Sequence, residues 1–235
     1  SLALDKEKQL NEIKGRFVSM ASHEFRTPLS TVLSSASLIE KYITSDDQEK
    51  RSRHIEKIKN SVKHLNNLLE DFLSLGKLEE GKIGIHLHEF NLEELIRDTM
   101  EEMNPTLKTG QHITYKNTCK NLITSDKNLI RNILFNLISN AIKFSDNSRP
   151  IHIVSQVKDD ITCVSIQDEG MGISEEDKEH LFSSFFRGKN VTNIQGTGLG
   201  LHIVKRYVDL LGGSITMEST LGKGTKITFS IPEKE

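Results

Sequence analysis

Two rhythms divide this sequence. Up to about residue 84, apolar positions recur at helical intervals. Phe25, Val32 and Ile39 stand seven apart, as do Leu29, Ala36 and Ile43. Further on, Ile55, Ile58, Val62, Leu65, Leu69 and Phe72 are spaced 3, 4, 3, 4 and 3, the stripe of a heptad repeat. The spacing predicts helices over residues 5–44 and 48–78. Thr44-Ser45-Asp46-Asp47 between them supplies helix caps and a turn. Two such helices make an antiparallel hairpin, which cannot bury both stripes by itself. Two copies joined as a four-helix bundle can, so residues 1–82 are expected to form a homodimer; the other reading is a hairpin packed on the chain's own second half.

From residue 85 the rhythm mixes. Alternating segments predict strands near 83–89, 113–117, 122–124, 151–157, 161–167, 214–219 and 224–231. Helical periods fall at 92–108, 126–144 and 202–211. Lys158-Asp159-Asp160 reads as the turn of a hairpin. Antiparallel strands with helices gathered on one face make an α+β sandwich over residues 83–235.

Composition narrows the function. Lys and Arg number 31 against 33 Asp and Glu, a formal charge of -2, so no basic field recruits nucleic acid. The longest apolar-leaning run, residues 27–39, is too short and serine-rich to span a bilayer. The segment is therefore expected in the cytoplasm without membrane contact; any anchor or sensor domain of the native protein lies outside it. Cys119 and Cys163 form no C-x-x-C pair and read as free thiols of a reducing compartment.

Five short stretches carry chemistry. On the helix over 126–144, Asn132, Asn136, Ser139, Asn140 and Lys143 share an arc of about 100° opposite an apolar face. Asparagine is a mediocre helix former. Its carbonyl oxygen is a hard ligand suited to Mg²⁺, and lysine suits phosphate, although a plain solvated face has the same look. Asp168-Glu169-Gly170-Met171-Gly172-Ile173 follows a strand. Its glycines permit close backbone approach, and Asp168 could accept from an adenine amino group; a simple turn is the other reading. Gly196-Thr197-Gly198-Leu199-Gly200 opens a helix, where free N–H groups and the helix dipole favour phosphate. Leu181–Gly188 carries Phe182 and Phe185, expected in the core, and Arg187. Residues 187–198 lack an apolar period and suit a lid. Finally, His23 lies inside the first helix beside Glu24 and one turn before Thr27, with Pro28 following and Phe25 and Leu29 expected to turn inward. The proline removes a backbone donor, and the carboxylate could leave one imidazole nitrogen nucleophilic; an inert helical histidine is the other reading.

In this order the five stretches resemble the sensor histidine kinases of bacterial two-component systems. SHEFRTPLS resembles their H-box, NLISNAIKFS the N-box, DEGMGI and GTGLGLHIVK the two glycine boxes, and LFSSFFRG the phenylalanine box. The resemblance spans residues 12–232 and implies an ATP-dependent protein histidine kinase. His23 would accept the γ-phosphoryl group, Glu24 would orient it and take its proton, and Thr27 would serve the reverse, phosphatase reaction. Asn140 would be the principal Mg²⁺ ligand with Asn136 beside it, and Lys143 would contact phosphate. Phe144, Asp168, Gly170, Gly172 and Ile173 would form the adenine pocket. Phe182, Arg187, Gly196, Thr197, Gly198, Leu199 and Gly200 would complete the ATP site. The implied partner is the receiver domain of a response regulator, with partner choice expected at Arg26 and Ser30. Related ATPases of the Hsp90, MutL and gyrase types place a glutamate base where Asn136 stands here, so hydrolysis should be slow.

Overall fold

The computed structural model describes residues 2–118, 122–188 and 196–233, with side chains from residue 18 onward apart from residues 20 and 158. Cys119 and most of the expected lid, residues 189–195, lie outside the described residues. The chain divides into two compact units, one formed chiefly by Ser1–Glu80 and the other by Gly81–Asn193 with Gly198–Glu235.

The first unit is a helical hairpin of α1 (Leu2–Lys41) and α2 (Gln48–Glu79). A short 3₁₀ turn, Ser45–Asp47, joins them. Arg51 closes the turn by donating to the carbonyls of Tyr42 and Thr44, which satisfies acceptors left open at the end of α1. Phe25 stacks on Phe72 across the hairpin with ring centroids 5.8 Å apart. The stripe read as one seam is in fact split. Leu29, expected to turn inward, is 54% exposed, and Ile55, Val62 and Leu69 are exposed as well. Two helices share only one line of contact, so every seventh apolar residue is left outside it.

The second unit is a sandwich. Its five-stranded sheet has the order β2-β4-β5-β7-β6. These strands are β2 (His112–Asn117), β4 (Pro150–Lys158), β5 (Ile161–Asp168), β6 (Ser214–Thr220) and β7 (Gly224–Pro232). A separate two-stranded sheet pairs β1 (His88–Asn91) with β3 (Leu122–Ser125). The helices are α3 (Leu92–Met103), α4 (Lys127–Phe144), the single turn α5 (Glu175–Lys178) and α6 (Gly200–Leu210). The expectation of a wholly antiparallel sheet changes at one pair: β2 and β4 run parallel, because β3 and α4 intervene and carry the chain back. Two element ends also move. The helix expected to reach residue 108 stops at Met103, where Pro105 bends the chain into a 3₁₀ turn. The strand expected over 83–89 lies later, at His88–Asn91, and matches the length of its partner β3.

Strand alternation builds the core. Val164 and Ile166 of β5 and Ile227, Phe229 and Ile231 of β7 point inward beneath the helices. From α4, Ile130, Ile133, Leu134, Leu137 and Ile138 descend to meet them. Each fully buried aliphatic side chain contributes about 1.5–3 kcal/mol, so α4 is held firmly and its polar face is fixed in direction. The β4–β5 hairpin turns through Asp159 and Asp160, with φ of 52° and 58°, the tight turn whose twist matches the strands.

Candidate functional site

The site gathers at one end of the sandwich, around α4. The helix is anchored at both ends. At its start Asp126 accepts from the backbone N–H of Asn128 and Leu129, each at 3.0 Å, and from His86 N–H at 2.8 Å. At its end Lys108 Nζ donates to the carbonyls of Lys143 and Ser145, and the buried Gln111 amide donates to those of Ile142 and Asp146. A cation on the last carbonyls also complements the helix dipole. Nothing in the sequence around Lys108 and Gln111 signals this task; they meet α4 only in the fold.

Asn136, Ser139, Asn140, Lys143 and Phe144 are half-buried, and Asn132 is exposed. Asn136 Nδ2 donates to the Asn132 carbonyl at 3.0 Å, leaving its Oδ1 turned toward α6. A Cβ added at Gly200 would lie 2.9 Å from that oxygen, so the start of α6 approaches the amide closely. Lys143 Nζ stands 5.1 Å from the centre of the Phe144 ring.

The same helix touches the loop after β5. Met171 N–H donates to the Phe144 carbonyl at 3.2 Å. A Cβ at Gly170 would fall 2.3 Å from that carbonyl oxygen. Gly172 has φ +65°, and its Cβ would meet the Thr220 carbonyl at 2.0 Å. Ile173 N–H donates to Ser219 Oγ at 2.9 Å. The loop is therefore clamped between the end of α4 and the β6–β7 turn.

Asp168 closes β5 in the inward register of Val164 and Ile166 and is only 9% exposed. Burial pushes its carboxyl up to about 6, against the opposing pull of the Gly170 and Thr225 backbone N–H groups. A buried carboxyl that keeps acceptor capacity beyond these backbone bonds suits a ligand donor such as an exocyclic amine.

The phenylalanine stretch departs from expectation. Phe182 and Phe185 are half-buried rather than in the core, because residues 181–186 form successive turns with no regular face to pack. Phe185 sits at φ 62°, and Arg187 is half-buried. Gly196 and Thr197 lead to Gly198, at φ +70°, then to the buried Leu199 and to Gly200, the first residue of α6.

In the first unit His23 is 76% exposed on α1, with its Nδ1 3.9 Å from Glu24 Oε1. Thr27 Oγ1 donates to the His23 carbonyl at 3.4 Å, and Pro28 is buried one residue on. Arg26 and Ser30 are exposed. Cys163 is a free thiol on the outer sheet face, 3.2 Å from Ser230 Oγ. Among the described residues, no helix is long and apolar enough to cross a membrane.

The residues fit a magnesium nucleotide. The glycine approaches leave cradles that any Cβ would fill, and amide oxygens are hard ligands. Among the described residues no group of three or more His, Cys, Asp or Glu could hold a metal.

Known proteins carry the same pair of units. Residues 13–81 match the family described as the His Kinase A (phospho-acceptor) domain. Residues 125–235 match the histidine kinase-, DNA gyrase B- and HSP90-like ATPase family. The circadian input-output histidine kinase CikA of Synechococcus elongatus is 32% identical over 230 residues, covering 95% of this chain and 30% of its own length. The chain spans less than a third of the curated relatives it matches. Among solved structures, the catalytic domain of histidine kinase ThkA is 33% identical at a TM-score of 0.57, covering 63% of this chain and 96% of that one. ThkA in complex with the response regulator protein TrrA covers 97% of this chain and 64% of that one at 25% identity and a TM-score of 0.70. Full-length ShkA in complex with AMPPNP covers 93% of this chain and 46% of that one at 28% identity and a TM-score of 0.68.

Proposed function

The chain belongs to the sensor histidine kinases of two-component systems, and from that premise we propose that it phosphorylates His23 from ATP and passes the phosphoryl group to an aspartate of a response regulator receiver domain. One observation carries this reading: α4 is the common wall of both glycine loops, meeting Gly170 at Phe144 and Gly200 at Asn136. Its Asn–Lys face and the buried acceptor Asp168 thus bound a single nucleotide site.

Asp168 accepts from the adenine amino group, and Phe144 and Ile173 line the ring. Lys143, Arg187 and the backbone N–H groups around Gly196, Thr197, Gly198, Leu199 and Gly200 receive the phosphates. Asn140, with Asn136 beside it, would hold Mg²⁺. When bound, the ion supplies charge neutralisation at the transferring group. Asn136 cannot act as a base for water, so the γ-phosphoryl group waits for a positioned acceptor. Transfer of this kind needs orientation and charge compensation more than covalent help from the protein.

Glu24 stands beside Nδ1 of His23, which leaves Nε2 for attack. The N–P bond forms as the bond to the leaving ADP oxygen breaks, and Glu24 takes the imidazole proton. Thr27, one turn away, serves the reverse reaction by positioning water at the partner's phospho-aspartate. The exposed positions Ile55, Val62 and Leu69, each seven apart, support a homodimeric four-helix bundle. Exposed Arg26 and Ser30, on the same helix as His23, choose the receiver. The segment works in the cytoplasm.

Incubation with labelled ATP and Mg²⁺ tests the reading. An acid-labile, base-stable phosphoprotein is expected, absent from His23→Gln and from Asn140→Asp. Label retained by His23→Gln would remove His23 as the acceptor.

A further inference from the structure

His202 has no task in the reading above. It is the third residue of α6, and its Nδ1 lies 3.0 Å from the carbonyl oxygen of Phe182. A carbonyl can only accept, so Nδ1 carries the proton. The bond spans 20 residues of sequence and fastens the phenylalanine segment to the first turn of α6.

That segment needs fastening. Residues 179–186 run as successive turns, with Ser183 N–H donating to the His180 carbonyl at 2.9 Å and Phe186 N–H to that of Ser183 at 3.4 Å. Phe185 occupies the left-handed region at φ 62°, where a bulky side chain is strained and persists only when its surroundings hold it. Two contacts come from the glycine-rich start of α6. Gly198, itself at φ +70°, approaches so closely that a Cβ would lie 2.6 Å from the Phe186 carbonyl oxygen and 2.9 Å from the Phe185 carbonyl carbon. The second contact is the His202 hydrogen bond. One is a close approach of backbones; the other is a directional hydrogen bond from a side chain that can be exchanged.

We propose that His202 is a positioning residue for the phosphate end of the nucleotide. Its Nδ1–H bond to Phe182 holds the strained Phe182–Phe186 turns, and Arg187 directly after them, in register with the N-terminus of α6. Arg187 and the free N–H groups of that helix then act on the same phosphates. The proposal rests on the reading that the Gly196–Gly200 stretch receives phosphate. His202 itself touches neither phosphate nor metal.

The test measures equilibrium binding of ATP, ADP and adenosine, with Mg²⁺, to the whole chain and to three variants. His202→Phe keeps a ring and removes the donor, His202→Ala removes both, and His202→Asn places an amide N–H near Nδ1. Loss of one positioned hydrogen bond predicts about tenfold weaker ATP binding for Phe and Ala. Adenosine binding stays within about twofold, and the Asn variant recovers most of the ATP affinity. The ATP loss must appear in whichever donor-less variant keeps the wild-type circular dichroism. An equal loss for adenosine and ATP would reduce His202 to a structural residue and overturn the proposal. So would unchanged ATP binding in a folded donor-less variant, or an Asn variant no better than Ala. Wild-type protein that binds adenosine but gains nothing from the phosphates would instead overturn the phosphate reading of the glycine stretch, and this proposal with it.

Discussion

Replacing Asp168 with asparagine should make the protein more stable at neutral pH while weakening its hold on adenine. The carboxyl is buried in the inward register of β5 and titrates near 6, against 3.8 for an ordinary aspartate. The folded state therefore binds this proton more tightly than the unfolded chain does. The stabilisation this confers is complete below pH 3.8 and is lost as the pH rises to about 6. A shift of about two units corresponds to about 3 kcal/mol. Asparagine carries no charge at any pH and escapes that loss. It keeps one oxygen for the Gly170 N–H, 2.8 Å away in the native protein, and gives up the second carboxylate oxygen as an acceptor, which costs about 1 kcal/mol. The variant should thus be about 1 kcal/mol less stable than wild type at pH 4 and about 2 kcal/mol more stable at pH 7.5. Urea unfolding at a series of pH values reads this as a difference between two curves, so carboxylates common to both proteins cancel. Isothermal titration at pH 7.5 should show the opposite sign for adenosine, weaker by about tenfold or more. A stability difference that stays flat between pH 4 and 7 would refute the burial argument. Unchanged adenosine affinity would refute the acceptor role while leaving the burial argument in place.

Three further outcomes follow from the same geometry. Asp126→Ala removes an N-cap that also holds His86 N–H; a loss of about 2–3 kcal/mol in chemical denaturation is expected. Gly172→Ala forces a Cβ to 2.0 Å from the Thr220 carbonyl at φ +65°; it should lower stability by more than about 2 kcal/mol and adenosine affinity with it. Val62→Glu with Leu69→Glu charges two exposed seam positions; analytical ultracentrifugation should show the variant as a monomer where wild type is a dimer, with the circular dichroism of the sandwich unit preserved.

The helical hairpin and most of the sandwich elements were legible because their signals are local. Heptad spacing, strand alternation, Asp126 at the start of α4 and the Asp159-Asp160 turn each act within a few residues. The polar face of α4 was legible for the same reason, since Asn136, Asn140 and Lys143 share one side by helical geometry alone. Partnerships between distant segments were not legible. The parallel pairing of β2 with β4, the grip of Lys108 and Gln111 on the end of α4, the seat of Ser219 under Ile173 and the bond from His202 to Phe182 all join residues with no common local pattern. The exposure of Leu29 and the half-buried state of Phe182 and Phe185 belong with these, because burial depends on what packs opposite.

By itself, then, the sequence determined which residue types stand on which face and in what order the motifs come, since period and turn chemistry are properties of adjacent residues. Only the tertiary structure decided which faces meet. It brought Gly200 to the middle and Gly170 to the end of one asparagine-bearing helix, and it placed a carboxylate in the inward register of a core strand, where loss of water raises its pKa.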